Sequence, residues 1–273
     1  HLVLHVPRSH EMWAIVTLLV SANAFTPLRL PRSKLIHRNS CLSSTQTDGP
    51  IVRSADELWC DYQDQEKILA LNPDDNQAMK RCADALCGWM RISTDGQTVL
   101  LEGPGDKQSF RKIWSEFAPR GVNLYRSLLQ LESNKKDPDL LCNFIECLSS
   151  QSAAKGVAVA ALSGDAVSFL QNVATLKEHF PGHNGGLAFI FTSAFYLAAP
   201  FPVRSPRRAL AAAENALKID PTSRRNRYYA GLASWACGDH VTANRYFSSS
   251  LAGDATCKSQ SELDIDGVLR REA

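Results

Sequence analysis

The chain has 273 residues, 44% hydrophobic and 21% charged, with a formal charge of +2, a length that suits one large or two ordinary domains. The charge is uneven: residues 1–54 hold six Lys/Arg and two acids, which leaves 24 basic against 26 acidic residues in 55–273. A body so close to neutrality carries no electrostatic footprint for nucleic acid, and no such partner is expected.

Residues 12–24 have a short apolar core that ends in Ala22-Asn23-Ala24. The apolar run is far below the roughly 20 residues that span a bilayer. Its small-residue end reads as a cleaved signal peptide, so no integral span is expected in the mature chain. Residues 1–11 contain no methionine, which makes them an upstream extension and Met12 the expected initiator. Residues 26–54 then hold five Lys/Arg, eight Ser/Thr and one acid, the composition of a transit peptide. With Phe25 directly after the cut, Ala22-Asn23-Ala24-Phe25-Thr26-Pro27 resembles the bipartite plastid presequence of diatoms and related algae. That resemblance implies delivery to a plastid; a plain secretory signal with a Ser-rich neck is the alternative. Neither reading lets this segment count toward the fold.

Helical patterning begins at Ala55. Ser54 and Glu57 have capping-box spacing, and the helix is expected to stop at Asn72-Pro73, since a residue before proline disfavours helix. A second helix is expected over Gln77–Arg91, after acids at Asp74 and Asp75, with Met79, Ala83, Leu86 and Met90 as its apolar stripe. Residues 93–121 are irregular: Ser93–Gly96 and Gly103–Asp106 have turn chemistry, and Thr98–Leu101 fits a short extended piece. Helices are expected at Lys107–Phe117 and Val122–Glu132, broken by Pro119 and Gly121. Asp137-Pro138-Asp139 opens another, to about Leu148.

From Ser150 on, small residues, glycines and prolines recur at fixed offsets. Gly164, Pro181, Ala209, Ala216, Pro221, Gly231, Gly238, Ala243 and Phe247 mark them. A fixed period of roughly 30–45 residues points to stacked helix pairs. The expected pairs are Ala153–Leu162 with Ala166–His179, Leu187–Leu197 with Pro206–Ile219, and Arg224–Cys237 with Val241–Leu251. Small residues at facing positions let such helices approach closely.

The zone 150–257 resembles tetratricopeptide repeats. With Pro221 at position thirty-two of that family's pattern, Ala209 and Ala216 fall at twenty and twenty-seven. Counting on, Gly231 falls at eight, Gly238 at fifteen, Ala243 at twenty and Phe247 at twenty-four. Pro181 and Gly164 fit thirty-two and fifteen of an earlier repeat, and the surplus of the middle repeat fits the loop Pro200–Pro206. Phe169 and Leu176 replace small residues in the first repeat, and Ala255 stands where the last proline belongs. The resemblance implies an all-α superhelix of stacked antiparallel pairs, preceded by a helical region over 55–149 and followed by a tail over 258–273. Its groove-facing positions would be Arg225, Tyr228, Leu232 and Trp235 in the last repeat, with Thr192 and Phe195 in the middle one. Ala158 and Phe189 stand at positions that speak against a carboxylate clamp.

No local pattern selects catalysis. The eight cysteines form no CxxC, and Cys82/Cys87 and Cys142/Cys147, each five apart, do not share a helix face. They read as structural thiols before disulfides or metal ligands. His179 and His183 flank Pro181-Gly182 and cannot share a face either. His240 reads as a solvated loop residue. Gly103-Pro104-Gly105-Asp106-Lys107 lacks phosphate-loop spacing, and no Gly-x-Ser-x-Gly elbow occurs. Arg204, Arg207 and Arg208 precede one helix and Arg224, Arg225 and Arg227 another. Such ends disfavour cations; the arginines are solvated, paired within the chain, or directed at acids on a partner.

The sequence therefore reads as a non-catalytic scaffold, assembly factor or holder that needs no cofactor or metal and binds another protein or peptide. One alternative is a small-ligand binder resembling transporter-associated TPR-like proteins, with a pocket around Phe191, Phe195, Tyr196 and Trp235. Another is an enzyme with catalytic residues in 93–121.

Overall fold

A computed structural model describes residues 53–96, 108–131 and 137–252. The presequence-like segment, Thr98–Leu101, the Gly103–Lys107 turn and the expected tail lie outside these residues. The described residues are all-helical and contain no strand. In chain order they form α1 (Ala55–Leu71), α2 (Asn76–Ser93), α3 (Gln108–Gln130), α4 (Pro138–Lys155), α5 (Val157–Leu162), α6 (Asp165–His179), a 3-10 turn (His183–Gly185), α7 (Leu187–Ala198), α8 (Pro206–Ile219), α9 (Arg224–Ala236) and α10 (His240–Ala252). Consecutive helices pack side by side, the arrangement of a helical-repeat superhelix.

Local chemistry sets most boundaries. The Ser54 hydroxyl accepts from the Glu57 amide at 3.2 Å, and the Glu57 carboxylate accepts from the Ser54 amide at 2.7 Å. Both halves of the capping box are thus in place. Asp75 caps α2 through the amides of Gln77 and Ala78, and Asp137 caps α4 through those of Asp139 and Leu140.

Two expected breaks move. Pro119 and Gly121 do not divide α3, which runs through both. The missing proline bond costs roughly 3 kcal/mol. Trp114, Val122, Tyr125 and Leu128, each at most 1% exposed, bury one continuous face of α3. At about 1.5–3 kcal/mol for a buried Val or Leu side chain, that face outweighs the proline. Gly121 is there for clearance: a Cβ on it would lie 2.8 Å from the Cys147 sulfur of α4. The break expected between Leu148 and Ala153 also fails. α4 runs on to Lys155 and turns at Gly156, whose φ of +83° suits glycine. The first expected pair therefore changes: α5 is a single short stretch, and α6 packs mainly on α4.

α4 is the shared wall of two cores. Leu140, Phe144, Cys147 and Leu148 face α1–α3, while Leu141, Cys142 and Ile145 face the core built from α6–α9. One charged side chain lies within this wall. Glu146 of α4 receives Nε and Nη2 of Arg91 from α2 at 3.0 and 2.6 Å, with both side chains at most 6% exposed.

At the C-terminal end, Ala209, Ala213, Ala216, Ala233 and Ala243 are fully buried. Gly231 of α9 faces the ring of Phe247 on α10; a Cβ there would sit 2.5 Å from a ring carbon. Gly231→Ala should therefore overpack the pair and cost about 1–3 kcal/mol. Urea unfolding measures it, and an unchanged midpoint would show that Phe247 has room to retreat.

Candidate functional site

The residues expected to line a groove on α9 are mostly interior. Arg225, Tyr228 and Leu232 are 1%, 2% and 8% exposed. Arg225 donates to the Asn184 carbonyl of the 3-10 turn at 2.5 Å. Tyr228 meets Tyr229 edge-on at 5.9 Å, and Leu232 belongs to the C-terminal core. The expectation is corrected for these three. α9 has α8 on one side and α10 on the other, so the face taken for a groove is a packing face. Phe195 and Trp235 keep partial exposure. Phe195 stacks on Phe169 at 5.9 Å, and Trp235 lies 4.2 Å from the His240 ring.

The second arginine cluster has an internal task. Arg224 donates to the carbonyls of Ser250 and Leu251, and Arg227 to that of Ser249 at 2.7 Å. These carbonyls end α10, where no intrahelical donor reaches them and the helix dipole favours a cation. The arginines that disfavour their own helix start thus cap the neighbouring helix end. Asn226 does the same for α8: its amide donates to the carbonyls of Ala216 and Asp220, and also to that of Gly185 in the 3-10 turn.

Neither histidine of the 179–183 pair joins a metal set. His183 Nε2 lies 3.1 Å from an Asp139 oxygen, His179 lies against Phe180, and the described residues include no metal-holding cluster of His, Cys, Asp or Glu. Of the irregular segment, 97–107 lies outside the described residues and 108–121 belongs to α3.

The structure assembles a different surface at α1–α3. Trp59 and Tyr62 of α1, Trp89 of α2 and Phe117 of α3 form one cluster, and all four keep partial exposure. Trp59 lies 4.6 Å from Trp89, 5.3 Å from Tyr62 and 5.4 Å from Phe117, ring centre to ring centre. Phe117 meets both tryptophans edge-on, a favoured aromatic geometry. α1 and α3 both pack on α2, so α2 forms the floor between them.

Next along both helices, the Glu66 carboxylate accepts from Arg120 Nε at 2.8 Å and from the Cys82 thiol at 3.3 Å. Beyond this pair opens a cavity of about 250 Å³, lined by Leu69, Ala70, Pro73, Met79 and Leu124 together with Glu66 and Arg120. Trp59, Tyr62, Glu66 and Leu69 recur at three and four, so one stripe of α1 carries rings, charge and cavity wall. Burial, and next the Glu66 charge, push the Tyr62 phenol up to about 12.

These four rings escape a sequence reading because they lie across three helices outside the repeat zone. A signal was present in Trp59 and Tyr62, which lie three apart on one helix.

The remaining thiols behave as packing. Cys82, Cys87, Cys142 and Cys147 are buried. Desolvation and the Glu66 contact raise Cys82 to about 12, and burial holds Cys142 high as well. A native-state iodoacetamide pulse should mark Cys60 and Cys237, which are exposed, and spare these four. Peptide mass spectrometry reads the result; labelling of Cys82 or Cys142 at the rate of Cys60 would contradict the packing.

No protein-family model matches this chain, and no curated protein matches it. No helix among the described residues is long and apolar enough to cross a membrane.

Proposed function

We propose that this chain is a non-catalytic, TPR-like repeat protein that holds an extended segment of another protein between α1 and α3. The carrying observation is the partly exposed four-ring cluster beside the Glu66–Arg120 pair and its cavity. Trp, Tyr and Arg are the residue types that anchor protein interfaces. A cavity of about 250 Å³ lies below the roughly 300–1,000 Å³ of small-molecule sites, and suits one side chain of a longer partner. Glu66 and Arg120 can exchange their mutual bond for backbone donors and acceptors of the bound segment.

The TPR-like assignment draws on Gly231 and Phe247. They stand at positions eight and twenty-four of the register and touch across α9 and α10. The α7–α8 and α9–α10 pairs carry that register, and α1–α4 supply the binding wall. Against the small-ligand alternative, Phe169 packs on both Phe191 and Phe195, two of the four rings expected to line that pocket.

A photoreactive benzoylphenylalanine at position 117 tests the groove in the full chain. It should cross-link one defined polypeptide, while the same group at the exposed Lys218 should not. Equal capture at both positions, or none at 117, would refute the reading. A plastid address belongs to the same proposal; a fluorescent fusion of residues 12–54 tests it, and uniform secretion would refute it.

A further inference from the structure

The arginines at the start of α8 differ from those at the start of α9. Arg224, Arg225 and Arg227 are bonded to carbonyls, and Arg53, Arg91 and Arg120 to carboxylates. Arg204, Arg207 and Arg208 have no ion pair among the described residues. Arg207 and Arg208 are exposed, and Arg208 lies 5.5 Å over the Tyr196 ring. Residues 184–213 contain these three cations and no acid; the next acid along the chain is Glu214. At the tip of the same loop, between Pro200 and Pro202, Phe201 is 76% exposed.

We infer that the loop at 200–208 docks on an anionic lipid surface. An acidic polypeptide would satisfy the arginines and leave the Phe201 ring in water. An anionic bilayer takes both: headgroup phosphates meet the guanidinium forks, and the apolar phenyl ring is buried at the boundary between headgroups and acyl chains. Flanking prolines limit the freedom the loop loses on docking. Three cations and one ring make a weak, reversible contact, of the order given by a single lipid anchor. The surface lies on the α7–α8 loop and the first turn of α8, separate from the α1–α3 groove, and does not depend on what that groove binds.

Co-sedimentation of the full chain with vesicles tests it. Vesicles of phosphatidylcholine with phosphatidylserine should carry the protein down, and pure phosphatidylcholine vesicles should not. Replacing Arg204, Arg207 and Arg208 together by Gln should weaken binding about 100-fold, and Phe201→Ser alone about tenfold. The Phe201 variant changes an exposed side chain and leaves the fold intact, which an unchanged melting curve verifies. Failure to sediment with anionic vesicles would overturn the inference. So would full binding by either variant. Binding that polyglutamate competes away while Phe201→Ser has no effect would assign the surface to an acidic polypeptide instead.

Discussion

Arg91→Ala should destabilise the fold by about 3–5 kcal/mol, the cost of leaving a buried carboxylate without its cation. Glu146 sits in α4, the helix both cores share, and its side chain is 4% exposed. Arg91 supplies two of its bonds, at 3.0 and 2.6 Å, and the Cys87 sulfur lies 3.7 Å away. Urea denaturation measures the loss as a lower midpoint with an unchanged slope. The companion variant, Arg91→Met with Glu146→Leu, removes both charges and fills the space. It should be neutral or stabilising, since the pair's attraction mainly repays its own desolvation. A single variant that costs less than about 1 kcal/mol would mean Glu146 reaches solvent. A double variant as damaging as the single would mean packing, not charge, is what Arg91 supplies.

Trp59→Ala or Trp89→Ala should weaken partner binding about 30-fold each, and the pair together at least 100-fold. The two rings touch at 4.6 Å, so their losses will not add simply. Truncating either one also withdraws support from Phe117, which meets both edge-on. Trp235→Ala is the matched control: an equally large, partly exposed tryptophan on α9, set against His240. It should change binding less than about twofold. Surface plasmon resonance with the cross-linked partner reads all three. Folding is checked separately by thermal melting, because the two N-terminal tryptophans also contribute to packing. Loss of binding in the Trp235 variant alone would return the site to the C-terminal repeats.

The sequence made helix ends legible wherever a side chain decides them. Ser54, Asp75 and Asp137 announce their caps, and Asn72-Pro73 announces a stop. Where tertiary packing decides, the signal misleads. Pro119 and Gly121 look like punctuation, yet one is overruled by a buried helix face and the other is clearance for a cysteine. The repeat register located α7–α10 closely, because its small residues mark close contacts. It could not say which side of α9 would be covered. A buried Tyr228 and an anchoring Tyr228 have the same spacing, and only the neighbouring α8 and α10 tell them apart. Beyond the Trp59–Tyr62 pair on α1, the aromatic cluster was out of sequence reach for a related reason. Trp59, Trp89 and Phe117 meet only once α1 and α3 are laid on α2.

Hydrogen exchange on the full chain, with and without its bound partner, tests the central claim most directly. Binding should slow exchange in α1 around Trp59–Leu69 and in α3 around Phe117–Leu124, and leave α9 and α10 unchanged. Protection confined to α9 and α10, with α1 and α3 unaffected, would contradict the groove.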